Sequence, residues 1–419
     1  MVFFLEFFSL SIDWCVFLYG AGFAVGVAGL ASVFTHEHSA DEVDMNAIKK
    51  RIAELEKSSA RSLEQNDELA RLYSAWAVAL WDEEADLAEI VALFGKAESV
   101  LTATLAQGDD AEVRRQLGNV YLNCAVALND YDELTSSIDY YLKGIDTLKP
   151  LDGSGDAEAK YDIAGMRFNL GNVYHELGEY EKAKASLDES FLDFRAVEKI
   201  GVADTRLYMA KVSAQQGHLL NDMGETVDTV VDAHNRAMRL FIEVIEDLQL
   251  PELERDLASV LLARCETLYA DWHDREFASE EERNKKIAEI QTDIAQGIAL
   301  LEKQYKSGND LARFDLFHGL VFQGKVLCDI EKYGEAKGIL DRAINEFSDL
   351  CDNEDDDLFL MQMAVAYASR AVVQMGLGRQ DLSKEDCLKG SELVNKLLQE
   401  DSDDEDIQAL REQFRAMLE

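Results

Sequence analysis

Proline is nearly missing from this 419-residue chain, with only Pro150 and Pro251 present. That removes the strongest helix breaker from almost the whole length and favours long helices. No stretch alternates apolar and polar residues with β-branched enrichment, so no strand is expected and the fold class is all-α. Cations are scarce too: 41 Lys and Arg stand against 82 Asp and Glu, a formal net charge of -41. Such a surface repels nucleic acid and anionic headgroups, which need clustered Lys and Arg, so no nucleic-acid partner is expected. Solubility, a salty habitat that screens carboxylates, and a basic partner each account for the acidity. The six cysteines form no C-x-x-C pair, and an odd five of them lie beyond the apolar N-terminus. Most sit among apolar neighbours as small hydrophobes, which speaks for a reducing compartment rather than a disulfide framework.

Catalytic signatures are lacking as well. "HELGE" (175–179) has no second histidine where H-E-x-x-H needs one. No Walker loop, G-x-S-x-G or G-x-G-x-x-G occurs. "DSDDEDIQALRE" (401–412) puts Asp406 where a calcium loop needs glycine, so it is expected to start a helix instead. His175, His218, His234, His273 and His318 are dispersed and are expected on helix surfaces or in packing. The chain is therefore expected to be no enzyme, with no cofactor and no metal.

Residues 14–34, "WCVFLYGAGFAVGVAGLASVF", carry no charge. As a helix they span about 31 Å, the thickness of the hydrocarbon core, so a transmembrane helix is expected. Trp14 and Tyr19 suit the interface at one end. A cleaved signal peptide is the rival, with a small-residue site near Gly29 and Ala31, but the first 48 residues contain no Lys or Arg for a basic n-region. Lys49, Lys50 and Arg51 follow the span, whereas Glu6 and Asp13 precede it. The positive-inside rule then puts the C-terminal part in the cytoplasm. Gly22 and Gly26 form a G-x-x-x-G spacing, a route to a homodimer or to docking on another membrane helix. "THEHSADE" (35–42) reads as a polar linker rather than a metal site.

Beyond the linker, "FNLGNVYHELGEYEKAKASLDESF" (168–191) reads as two helices joined by a glycine turn. Gly171 and Ala183 are small where the helices would cross, Tyr174 and Leu187 fill the space beside them, and Gly178 supplies the turn. Leu170, Gly171, Tyr174, Gly178, Tyr180, Ala183 and Leu187 stand at the spacing of the tetratricopeptide repeat, which this stretch strongly resembles. Weaker copies carry Leu117, Gly118 and Tyr121; Gly217 and Gly224; Gly324, Tyr333, Ala336, Leu340 and Ala343; and Gly378, Ser383, Cys387 and Gly390. "LARLYSAWAVALW" with "IVALFGKAESVL" resembles a first, degenerate pair, and residues 252–305 read as two long helices split by the charged insert "DREFASEEERNKK". The spacing exceeds the family's 34 residues because several first helices are longer, and the closing proline is absent.

The resemblance implies a TPR-like α-solenoid of stacked antiparallel helix pairs with a concave groove that binds protein segments. The expected organisation is an N-terminal flank (1–13), the transmembrane helix (14–34), an acidic linker and lead-in helix (35–61), about seven helix pairs (62–400) and a polar-faced capping helix (401–419). Chaperone-binding members of the family clamp a peptide C-terminus with cations and asparagines on successive first helices. Arg115, Asn119 and Asn169 match that pattern, while Ala214 and His218 stand where cations are expected. Asn119 and Asn172 serve equally as generic groove residues for an extended peptide. The groove candidates are thus Arg115, Asn119, Asn169, Asn172 and His218. A membrane-anchored scaffold or adaptor is the expected function. A secreted or periplasmic binding protein after signal cleavage and a structural subunit of a large membrane complex are the alternatives.

Overall fold

A computed structural model describes residues 45–58, 60–201, 203–353, 357–400 and 405–418. The expected transmembrane segment with Gly22 and Gly26, the flank before it and residues 35–44 of the linker lie outside them. Among the described residues no helix is long and apolar enough to cross a membrane.

The described chain is helical throughout, with no strand among those residues. It divides into two units, the first ending at Met223 and the second starting at Gly224. The first unit holds α1 (Met45–Glu56), α2 (Leu63–Asp82), α3 (Leu87–Leu105), α4 (Ala111–Asp130), α5 (Leu134–Gly153), α6 (Ala157–Glu176), α7 (Tyr180–Ile200) and α8 (Arg206–Asp222). The second holds α9 (Val227–Leu248), α10 (Glu254–Asp274), α11 (Glu280–Lys306), α12 (Ala312–Asp329), α13 (Tyr333–Asn353), α14 (Asp357–Gly376), α15 (Gln380–Glu400) and α16 (Glu405–Leu418). Within each unit every helix packs on its chain neighbours. In the first unit α2, α4, α6 and α8 also touch one another in order, so these first helices of the pairs form one layer. In the second unit α10, α12, α14 and α16 do the same.

Local signals start these helices where the chain places them. Ser62 accepts from the Gln65 amide while the Gln65 side chain accepts from the Ser62 N–H, a complete capping box. Asp86, Asp110 and Asp156 each accept two backbone N–H groups at the starts of α3, α4 and α6. Within a pair the helices run antiparallel: Ala164 O accepts from Ser190 Oγ at 2.8 Å, Arg167 pairs with Asp193, and Gly171 meets Leu187. One number rises as the other falls.

The turn inside five of the pairs repeats. At Gly178 (φ +71°) the Glu179 N–H reaches back to Tyr174 O at 2.8 Å, closing a left-handed C-cap. The same long bond recurs as Ala85 N–H to Leu80 O, Glu133 N–H to Leu128 O, Lys332 N–H to Leu327 O and Arg379 N–H to Gln374 O. Here the left-handed residues are Glu84 (φ 52°), Asp132 (61°), Glu331 (61°) and Gly378 (72°). Seven residues before each turn stands a small one: Ala77, Ala125, Gly171, Gly324 and Ala371. All five are buried, where the paired helices cross.

This frame corrects the alignment of the weaker copy at 117–121. Ala125, and not Gly118, sits at the level of Gly171; Gly118 lies two turns earlier, where a Cβ would come 2.9 Å from Leu148. Two small residues one heptad apart lie on the same helix face, so only the turn at Asp132 tells which is level with Gly171. The insert between α10 and α11 is also shorter than expected. Ser279 caps α11 and Glu280, Glu281 and Glu282 form its first turn, where carboxylates favour the helix dipole. On α15, Gly390 leaves room for the ring of Phe414 of α16, whose Ile407, Leu410 and Phe414 are buried.

Candidate protein-binding face

On α6, Ala164, Arg167 and Gly171 face α7. Helical geometry turns the opposite face, with Asp162, Asn169, Asn172 and Glu176, away from the partner helix. On α4, Gly118 faces α5 and the opposite face carries Gln116, Asn123 and Asp130, with Asn119 at its border. The equivalents on α8 are Tyr208, Gln215 and Asp222, and on α2 Glu68, Ala75 and Asp82. The face is thus polar on α4, α6 and α8, with residues two turns apart at matching heights, and Ala75 interrupts it on α2.

The five sequence candidates are distributed along it unevenly. Arg115, at the N-terminal end of α4, pairs with Asp156 beyond α5, with Glu112 at 3.3 Å and with Glu158 at 3.7 Å. Its charge therefore ties α4 to the start of α6. Asn119 is half-buried, but its level matches Gly165 of α6 and not Asn172, since α4 is shifted by two turns against the family frame. Asn169 is 4% exposed and its Oδ1 has no partner; neither amide atom of half-buried Asn172 has one. His218 is half-buried on α8 at the level of Asn172. Asn169, Asn172 and His218 belong together on adjacent helices, while Arg115 and Asn119 lie nearer the opposite end of the face.

Sequence reasoning missed the other end of these helices. α2, α4, α6 and α8 end on Asp82, Asp130, Glu176 and Asp222, spaced 48, 46 and 46 residues apart. The last turns of α2, α4 and α8 carry no basic residue and that of α6 only His175. The helix dipole prefers cations there, so each carboxylate costs about 0.3–1 kcal/mol. Asp222 is compensated: His175 Nε2 lies 2.7 Å from its carboxylate, and Gln215 Nε2 lies 3.0 Å from His175 Nδ1. The histidine expected at a surface or in packing is thus buried in a polar network. Among the described residues no lysine or arginine offsets the other three. Crowding by protein atoms pushes Asp130 up to about 6, with only the Trp81 indole bonding its charged form. Crowding likewise raises Asp82, and raises Glu176 together with the nearby charge of Asp132. All three residues are nevertheless exposed. The signal that could have located them is the repeated acid before each turn, "WDEE", "NDYD" and "HELG".

In the second unit the corresponding face is closed by its own pairs. Asp315 takes Arg255 at 2.7 Å, and His318 Nε2 lies 2.6 Å from Glu266. Burial alone would lower His318, but the charges of Glu266 and Asp315 raise it overall. Lys325, lowered by burial, stands beside Asp329 and Glu266. Tyr269 donates to Asp329. The buried thiols of Cys124, Cys265 and Cys328 are each pushed up to about 12 by desolvation.

No family model and no curated protein matches the chain. Among solved structures it is similar to the apo form of RapI, at 12% identity over 89% of this chain and 96% of that one, with a TM-score of 0.49. It is also similar to a tetratricopeptide repeat protein from Parabacteroides merdae, at 12% identity over 83% and 98%, TM-score 0.40. A third similar structure is the TPR2AB domain of yeast Sti1 in a complex with pHSP90, at 14% identity over 83% and 99%, TM-score 0.23.

Proposed function

We propose that the chain is a scaffold or adaptor that binds a protein segment on the polar face of the first helices of its first unit, without catalysis of its own. The observation that carries this is that Asn169 Oδ1 and both amide atoms of Asn172 lack partners on a polar face shared by α4, α6 and α8. Buried amide atoms without partners cost free energy that a bound backbone, rich in N–H and C=O groups, recovers. The uncharged stretch 14–34 supports membrane anchoring, and Lys49, Lys50 and Arg51 support a cytoplasmic scaffold domain.

Two measurements test this. Membranes bearing the full-length chain, washed with carbonate, retain it if residues 14–34 are an anchor; release removes the anchor from the proposal. Proteins co-purified in mild detergent with the wild type are compared with those held by Asn169→Leu/Asn172→Leu. Loss of a stoichiometric partner supports the face as the binding site, and an unchanged set of partners overturns it.

A further inference from the structure

His318 stands where three first helices of the second unit meet. It is 3% exposed on α12, and its Nε2 lies 2.6 Å from Glu266 Oε1 of α10. Gln362 faces it from α14; that residue is equally buried, and no other donor reaches its Oε1. One turn before His318, Asp315 takes Arg255 of α10 at 2.7 Å and Ser259 at 3.4 Å. Lys325, two turns further along α12, also lies near Glu266. On its other sides α12 meets apolar side chains, Ile298 of α11 at Gly319 and Leu340 of α13 at Gly324.

One proton changes what this residue can join. A charged imidazole has two N–H donors, whereas a neutral one has a single donor and an acceptor. Charged, His318 serves Glu266 on one side and the Gln362 carbonyl on the other. Neutral, it keeps its proton toward Glu266, because a buried carboxylate stripped of its donor costs more than an amide oxygen does. The nitrogen toward α14 then accepts, and turning the Gln362 amide restores only a neutral bond, about half as strong as the charge-assisted one. Burial works against the charged ring, but the charges of Glu266 and Asp315 and the bonds to Glu266 and Gln362 outweigh it and hold His318 above its ordinary value.

We propose that His318 is a pH-operated tie between α12 and α14, which fastens Gln362 to the first-helix layer when charged and loosens it when neutral. The polar face of the second unit is thus held closed in acid and opens toward alkaline pH. Phe359 of α14 rests on Phe317 at 5.0 Å and on Phe314 at 6.4 Å, contacts that do not depend on charge. The helix therefore stays docked while its polar fastening changes. This tie lies in the second unit and works whether or not the first unit binds a segment.

Hydrogen exchange of the full-length protein, read by mass spectrometry at about pH 5.5 and about pH 8.5 with labelling times scaled to the intrinsic rate, tests it. Expected is a roughly fivefold or greater loss of protection in α14 at the higher pH, with α11 of the same unit changed less. His318→Gln has no proton to lose in this range, so its α14 should exchange alike at both values. Gln362→Leu removes the α14 end of the tie and leaves the Glu266 pair. It should abolish the pH dependence of α14 while nitrogen-15 NMR still shows His318 titrating above an ordinary histidine. His273→Gln, which alters the other histidine of these helices, beside Tyr269, should leave the dependence intact. Equal loss in α14 and α11 would mean general destabilisation of the unit and overturn the tie. Unchanged protection in the wild type, or a dependence that survives Gln362→Leu or disappears in His273→Gln, would overturn it as well. If His318→Gln does not fold, Gln362→Leu decides alone.

Discussion

The same substitution, glycine to alanine, should have opposite effects at two positions 14 residues apart in the α12/α13 pair. At Gly324 an added Cβ would lie 2.5 Å from Leu340 Cγ and 2.6 Å from its Cδ2. Carbon atoms rest at about 3.5–4.0 Å, so Leu340 or the helix must yield by about 1 Å. Leu340 is wholly buried and cannot simply swing into water. Overpacking of this kind costs about 1–3 kcal/mol. Alanine returns up to about 1 kcal/mol of helix propensity, which leaves Gly324→Ala destabilising by about 1–2 kcal/mol. At Gly338, on α13, nothing lies within 4 Å of the same Cβ, and only the propensity gain of about 0.5–1 kcal/mol remains. Urea unfolding followed by far-UV circular dichroism measures both. The double variant Gly324→Ala/Leu340→Ala should be less destabilised than the sum of its parts, because the clash disappears with the leucine side chain. Equal shifts of the same sign for Gly324→Ala and Gly338→Ala would refute the close-crossing account.

Two further outcomes follow from the turns and the buried histidine. Glu331 holds a left-handed conformation that glycine adopts without strain, so Glu331→Gly should stabilise the second unit by up to about 1 kcal/mol, whereas Gly178→Ala should destabilise the first by a similar amount in thermal unfolding. His318 titrates higher in the folded chain than in the unfolded one because of Glu266 and Asp315. Its contribution is therefore fully present below about pH 6.5 and is lost as pH rises through its folded value. Stability measured against pH should fall across that window, and His318→Gln should flatten the fall; an unchanged slope would deny the Glu266 pair its role.

Much of the fold was legible because helix pairs announce themselves locally. Asp86, Asp110 and Asp156 cap, Gly178 and Gly378 turn, and the small residues recur where helices cross. Three turns were harder to see, since Glu84, Asp132 and Glu331 occupy a conformation that sequence reasoning assigns to glycine. The candidate face was legible only in part. Asn169, Asn172 and His218 lie on the same face, but Arg115, which matched a clamp cation in the sequence, is bound to Asp156 from the next pair. That contact joins residues 41 apart, and no periodicity in either helix encodes it.

From the sequence alone came the all-α class, the paired helices and the apolar stretch 14–34, because each depends on residues within a few turns of one another. Only the tertiary structure decided which small residue of α4 lies level with Gly171, which carboxylates find cations and which do not. Those outcomes depend on how helix stacks in register with helix, and that register is set by packing across the pairs rather than by any one segment. Asp130 and Asp222 end equivalent helices, yet His175 reaches the second while only an indole bonds the first.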